Sequence, residues 1–157
     1  MSDTPTNPPT APEPPAHSVD IVLVEDDPGD VLMTTEALEE SKLLHTLNVL
    51  NDGEEAIRYL RREAPYENAS RPDLVLLDLN LPRLDGREVL SIVKNDPALR
   101  SIPCVVLTTS DAEDDVACSY DLHANAYVTK PVDFNAFTAV VRQIDDFFFT
   151  IVRLPQP

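Results

Sequence analysis

Five short apolar runs alternate with segments of helical periodicity, and this order constrains the fold more than any other feature of the chain. The runs are VDIVLV (19–24), HTLNVL (45–50), LVLL (74–77), PCVVLT (103–108) and AYVT (126–129). Strands that alternate with helices are typical of a parallel sheet covered on both faces. The sequence therefore predicts an α/β domain built on a doubly wound, five-stranded parallel sheet.

Polar side chains end or follow four of these runs, at the point where each predicted strand ends. They are Glu25 and Asp26, Asp78 and Asn80, Thr108, and Lys130. Each has a common structural explanation when it is taken alone, such as a helix start or a turn. Because the carboxyl ends of parallel strands meet at one edge of a sheet, where ligands bind, their joint placement indicates a site.

The acids at this edge favour a particular chemistry. A buried carboxylate is costly unless something pairs with it, so Asp78 at the end of an apolar run indicates delivery to a site. Clustered carboxylates favour a hard cation such as Mg²⁺, which prefers oxygen ligands. A carboxylate also serves as a nucleophile towards phosphorus, with Lys130 and Thr108 neutralising the phosphoryl oxygens.

The helical segments have predicted apolar sides and boundaries. The first is expected to begin with Asp27 as its N-cap and Pro28 at its first position. Its inward side is expected to consist of Val31, Leu32, Ala37 and Leu38. The next two are expected over GEEAIRYLRRE (53–63) and over 84–95, a further one over 111–120, and a long last helix from about Asp133.

Charge and composition exclude several classes of function. The formal net charge is −16, which makes nucleic acid or an anionic membrane surface a poor partner. No apolar run reaches the length of a membrane span, and the N-terminus lacks the pattern of a secretory signal, so a cytoplasmic location is expected. Cys104 and Cys118 match no disulfide framework or metal motif and are expected to be reduced apolar residues.

The two ends of the chain differ from the part between them. Residues 1–17 contain six of the fifteen prolines, which predicts a disordered tail. Residues 146–157 carry an apolar cluster with no predicted domain left to cover: Phe147, Phe148, Phe149, Ile151, Val152 and Leu154. Such a cluster indicates an interaction surface, although it could instead fold back on its own monomer.

The segments LVEDD, LLDLNLPRLDG, VVLTTS and YVTKP occur in this order at predicted strand ends. On these segments, the chain from about Asp20 to Ile144 resembles a two-component response-regulator receiver domain, and residues 18–145 are expected to form that domain. That resemblance implies a flavodoxin-like fold with strand order 2-1-3-4-5, and phosphorylation by a sensor histidine kinase on another protein.

The resemblance also implies residue roles. Asp78 is expected to accept the phosphoryl group, which Thr108 and Lys130 contact, and Tyr127 is the expected switch aromatic. Mg²⁺ is expected on Asp26, Asp78 and the Asn80 carbonyl, with Glu25 helping through water. A cis peptide is expected at Lys130–Pro131, and Gly86 matches the turn after the phosphorylation loop. Thr109 and Ser110 depart from the commonest pattern, which leaves the lifetime of the acyl phosphate open.

A narrower resemblance concerns the last third of the chain. LTTSDAEDD, SYDLHANAYVTKPVD and IDDFFFTIVRLP are similar to stand-alone receivers that partner bacterial phytochrome histidine kinases. Those receivers dimerise through their C-terminal region, so a homodimer formed by residues 146–157 is expected. No output domain is expected to follow.

Two other functions remain open at this point. A phosphatase with an aspartyl nucleophile usually places a general acid two residues after it, and Asn80 cannot donate that proton. A degenerate receiver acting as a scaffold is disfavoured by the intact set of Asp26, Asp78, Thr108 and Lys130.

Overall fold

Five parallel strands form one sheet in the order β2-β1-β3-β4-β5, as predicted. The computed structural model describes residues 18–40, 44–108, 124, 126–130 and 135. The strands are β1 (Val19–Val24), β2 (His45–Leu50), β3 (Leu74–Asp78), β4 (Cys104–Thr108) and β5 (Ala126–Thr129). The helices within the described residues are α1 (Pro28–Glu40), α2 (Gly53–Arg61) and α3 (Gly86–Asn95).

The central strands are buried on both faces, and the alternation of their side chains divides the core in two. On one face, Ile21 and Leu76 lie in a cluster with Ala37 and Leu38 of α1. On the other face, Val22 and Leu77 lie in a cluster with residues of α2 and α3. Helices therefore cover both faces of the sheet, which confirms the doubly wound fold.

Two helix starts follow from local capping. Asp27 lies at the start of α1, where its Oδ1 accepts a hydrogen bond from the Gly29 N–H at 2.8 Å. The predicted helix 84–95 begins two residues later than expected, at Gly86. Asp85 is its N-cap and forms a capping box with Glu88, which fixes the helix start at that position.

Other boundaries and one buried position also differ from the prediction. Helix α2 ends at Arg61, because Arg62 adopts a left-handed conformation with φ of 58° and closes the helix. Strand β3 includes Asp78, which was expected to follow the strand. Leu32 was expected on the inward side of α1 but is 60% exposed, whereas Thr34 is buried there instead.

Several predictions concern residues that the structure does not describe. They are the predicted disordered tail over 1–17, the predicted helices over 111–120 and from about Asp133, and the predicted dimer arm over 146–157. Among the helices that the structure describes, none is long and apolar enough to cross a membrane.

Candidate functional site

Asp78 is the last residue of β3 and is almost fully buried, with 3% of its surface exposed. Its Oδ1 accepts a hydrogen bond from the Asn80 N–H at 3.1 Å. Its Oδ2 lies 3.2 Å from the Lys130 Nζ. The strand therefore delivers a carboxylate into the interior, where a backbone donor and an ammonium compensate its charge.

Glu25 and Asp26 follow β1 at the same edge of the sheet. The backbone N–H of Glu25 donates to the Leu50 carbonyl at 2.9 Å and so continues the pairing with β2. The Glu25 side chain is fully buried, whereas Asp26 is exposed. One carboxylate of this pair therefore lies inside the site, and the other lies at its solvent side.

The acids of the site form one cluster. Glu25, Asp26 and Asp78 each offer a carboxylate oxygen, and these oxygens lie within 4.8 Å of one another. The buried Oε1 atom of Glu25 lies 2.7 Å from the Lys130 Nζ. Three carboxylate oxygens this close to one another fit a hard divalent cation.

Lys130 follows β5 directly and supplies the positive charge of the site. Its side chain is only 6% exposed. The Nζ atom lies 2.7 Å from Glu25 Oε1, 2.8 Å from Asp30 Oδ2 and 3.2 Å from Asp78 Oδ2. One ammonium is thus shared by three carboxylates from three different elements of the fold.

These contacts change the pKa of two groups. Burial raises the pKa of Glu25 to about 7; Lys130 opposes this shift, and the neighbouring Asp78 adds to it. Burial alone would lower the pKa of Lys130, but Asp30, Glu25 and Asp78 together raise it above its usual value. Lys130 is therefore charged at neutral pH, whereas Glu25 titrates close to it.

The other predicted site residues are described to different extents. Asn80 is exposed, and Tyr127 is half-buried against the core beside α2 and α3. For Thr108 the structure describes the backbone, whose strand position pairs with Thr129. Pro131, with the expected cis bond, and the predicted dimer residues lie outside the described residues: Phe147, Phe148, Ile151, Val152 and Leu154.

Sequence reasoning missed Asp30. Its carboxylate belongs to the first turn of α1 and accepts a hydrogen bond from Lys130. The available signal was a further acid four residues after Asp26, but an acid in the first turn of a helix is common and favoured by the helix dipole. Only the packing of α1 against the sheet brings it to Lys130.

Comparisons with known proteins agree with this geometry. The family model for the response regulator receiver domain matches residues 21–142. The chain is 47% identical over 135 residues to the response regulator Rcp1 of Synechocystis sp., and the match covers 86% of this chain and 92% of Rcp1.

Two solved structures are similar in fold and sequence. The phosphorylated cyanobacterial phytochrome response regulator RcpA matches with a TM-score of 0.73 and 49% identity, over 88% of this chain and 99% of that one. The Mn²⁺-bound form of Rcp1 matches with a TM-score of 0.70 and 43% identity, over the same shares of the two chains. The chain described here belongs to the response regulator receiver domain family.

Proposed function

We propose that Asp78 accepts a phosphoryl group from a sensor histidine kinase in a Mg²⁺-dependent reaction. The observation that carries the proposal is the environment of Asp78, a buried carboxylate with Lys130 at one oxygen and two further acids beside it. If Asp78 had only a structural role, two more acids at this distance would not stabilise the fold, because like charges repel one another.

The transfer needs few groups from this chain. A carboxylate oxygen of Asp78 forms the new bond to phosphorus as the bond from phosphorus to the donor nitrogen breaks, and the electron pair of that bond leaves with the imidazole. Lys130, already beside Asp78 Oδ2, compensates charge on the phosphoryl oxygens. Thr108 is proposed to donate a hydrogen bond to the same group.

Glu25, Asp26, Asp78 and the Asn80 carbonyl are proposed to hold Mg²⁺. The cluster of three carboxylates supports this assignment. Asp26 is proposed as a direct ligand, because its carboxylate is exposed and makes no ion pair with the described residues, whereas Glu25 is paired with Lys130. Glu25 is proposed as a ligand through water. When bound, Mg²⁺ neutralises the acids and the phosphoryl oxygens.

Phosphorylation is proposed to act as a two-state switch. The new charge on Asp78 draws Thr108 towards it, and Tyr127 moves inward into the space that Thr108 leaves. The half-buried position of Tyr127 beside the core supports this role, because such a ring is able to exchange between a packed and a more exposed position. The outcome is a changed surface near β4 and β5.

The signalling partner is proposed to be a phytochrome histidine kinase in the cytoplasm. The similarity to the cyanobacterial phytochrome response regulator RcpA supports this input. Residues 18–145 are proposed as the receiver domain, 1–17 as a disordered tail and 146–157 as the arm of a homodimer. Phe148→Glu in that arm should convert the dimer to a monomer in sedimentation experiments.

Intact-mass spectrometry tests the acceptor directly. The wild type and Asp78→Asn are incubated with Mg²⁺ and acetyl phosphate, with and without EDTA. One phosphoryl group on the wild type, absent from the variant and from the EDTA sample, is the expected result. An unmodified wild type with intact donor would favour a scaffold, and many turnovers of donor without an adduct would favour a phosphatase.

A further inference from the structure

Lys130 has one more carboxylate partner than the phosphoryl-transfer reaction requires. An ammonium group has three N–H donors, and three carboxylates surround the Nζ atom of Lys130. Asp78 is the reacting group, and Glu25 belongs to the acidic cluster. Asp30 belongs to neither, since it lies on α1 and outside the set of acids close enough to share a cation.

The Lys130 ammonium lies closer to Asp30 and Glu25 than to Asp78. Its Nζ atom donates a hydrogen bond to Asp30 Oδ2 at 2.8 Å and lies 2.7 Å from Glu25 Oε1. The contact with Asp78 is the longest of the three, at 3.2 Å. The ammonium is therefore anchored away from Asp78 and presents its weakest contact to the reacting carboxylate.

The fold makes this anchor rigid. Residues 126 and 128 of β5 lie in the core cluster that faces α1, so the next position of the same parity, Lys130, continues on that side. Asp30 lies in the first turn of α1, where the helix dipole stabilises its negative charge. A side chain on a packed helix holds its partner more firmly than one on a loop.

From this geometry we infer that Asp30 is a positioning residue for Lys130 in the phosphorylation of Asp78, an inference that rests on the proposed function. After transfer, the phosphoryl oxygens carry the negative charge that the Asp78 carboxylate carried before. Lys130 then replaces its contact with the Asp78 carboxylate by a contact with a phosphoryl oxygen. Its other N–H donors stay directed at Glu25 and Asp30. Asp30 thus holds the ammonium where the incoming group arrives, so that little reorganisation is needed during the reaction.

The test measures the phosphorylation rate of Asp30→Ala and Asp30→Asn at saturating acetyl phosphate and Mg²⁺. Asp27→Asn is the matched control. It removes the same unit charge from the same helix start and keeps a capping side chain, and Asp27 is exposed. Calorimetric titration of Mg²⁺ and thermal melts of each variant accompany the rates.

We expect Asp30→Ala to slow phosphorylation about tenfold at saturation, as removal of a supporting partner of a reacting group typically does. Asp30→Asn, which keeps an acceptor oxygen without the charge, should fall between Asp30→Ala and the wild type. The Mg²⁺ affinity should change much less than the rate, and Asp27→Asn should react within about twofold of the wild type.

Two results would overturn the inference. One is a wild-type rate in both Asp30 variants at saturating Mg²⁺, even if both react slowly below saturation, and the other is an equal loss of rate in Asp27→Asn. If Asp30→Ala does not fold, Asp30→Asn decides alone. A wild type that accepts no phosphoryl group refutes the proposed function itself. A phosphorylated wild type with unchanged Asp30 variants refutes only the positioning role.

Discussion

A Cβ atom added at Gly86 would lie 2.1 Å from the carbonyl oxygen of Asp78. Helix α3 therefore begins in direct contact with the backbone of the proposed phosphoacceptor. The backbone N–H of Gly86 also donates to the Leu79 carbonyl at 3.0 Å, which closes the loop between β3 and α3. Position 86, in the turn after the loop, therefore requires glycine because the Asp78 backbone lies too close for a side chain.

Gly86→Ala should destabilise the protein and disturb the site. The added methyl group meets backbone atoms, which cannot move aside as a flexible side chain does, so we expect a loss of about 1–3 kcal/mol in the free energy of unfolding. Urea denaturation measures this loss, and the phosphorylation rate reports on the displaced Asp78.

Gly29→Ala is the control for that substitution. Its Cβ would lie 3.3 Å from Asp27 Oδ1, the end of a side chain that is able to shift. Because alanine favours a helix over glycine, the free energy of unfolding should change by less than about 1 kcal/mol. Equal losses in the two variants would mean that the contact of Gly86 with Asp78 is not the cause.

Two leucines of α1 differ sharply in burial, and their truncation should separate them. Leu38 is fully buried, whereas Leu32 is 60% exposed. Leu38→Ala should cost about 2–5 kcal/mol, because it leaves a cavity between α1 and the sheet. Leu32→Ala should cost less than about 0.5 kcal/mol. Comparable losses in urea denaturation would indicate that Leu32 is covered in solution, by a partner or by a second copy of the chain.

The order of strands and helices could be predicted from the sequence because each strand is a continuous apolar run. A run such as LVLL at 74–77 is buried on both faces, so its pattern differs from that of the amphipathic helices. The prediction was less accurate for α1, where Leu32 was placed on the inward side. With apolar residues at adjacent positions, the pattern alone does not fix which of them faces the sheet.

The site residues at the ends of strands could be predicted from the sequence, whereas the site residue on helix α1 could not. Glu25, Asp78 and Lys130 were expected to meet because parallel strands end at one edge, and the structure brings them together. Asp30 was missed because its contact depends on how α1 crosses the sheet. That placement is set by long-range packing of residues such as Ala37 and Leu38, which the local sequence does not report.

Cys104 should be inert in the folded protein. It is fully buried in β4, and burial raises the pKa of its thiol to about 11. Near pH 8 only about a thousandth of such a thiol is the reactive thiolate. In a Cys118→Ser background, a thiol reagent should therefore modify the protein slowly under native conditions and promptly in concentrated urea. Prompt labelling without denaturant would show that β4 opens readily.

Glu25 should make the metal-free protein lose stability as pH rises. Its pKa is raised from 4.5 to about 7 in the folded state, so the folded protein binds this proton more tightly than the unfolded chain does. The resulting stability is fully present below about pH 4.5 and is lost as pH rises through about 7. The loss from this group is on the order of 3 kcal/mol.

Comparison with Glu25→Gln isolates this effect from the other acids. Glutamine resembles the protonated carboxyl and does not titrate, so the free energy of unfolding of the wild type minus that of the variant should fall between pH 4.5 and 7 in EDTA. Above that range the difference should stay constant. In saturating Mg²⁺ the fall should disappear, because a cation favours the ionised form of the cluster. A difference that instead grows with pH would mean that the ion pair with Lys130 outweighs burial and keeps Glu25 ionised throughout.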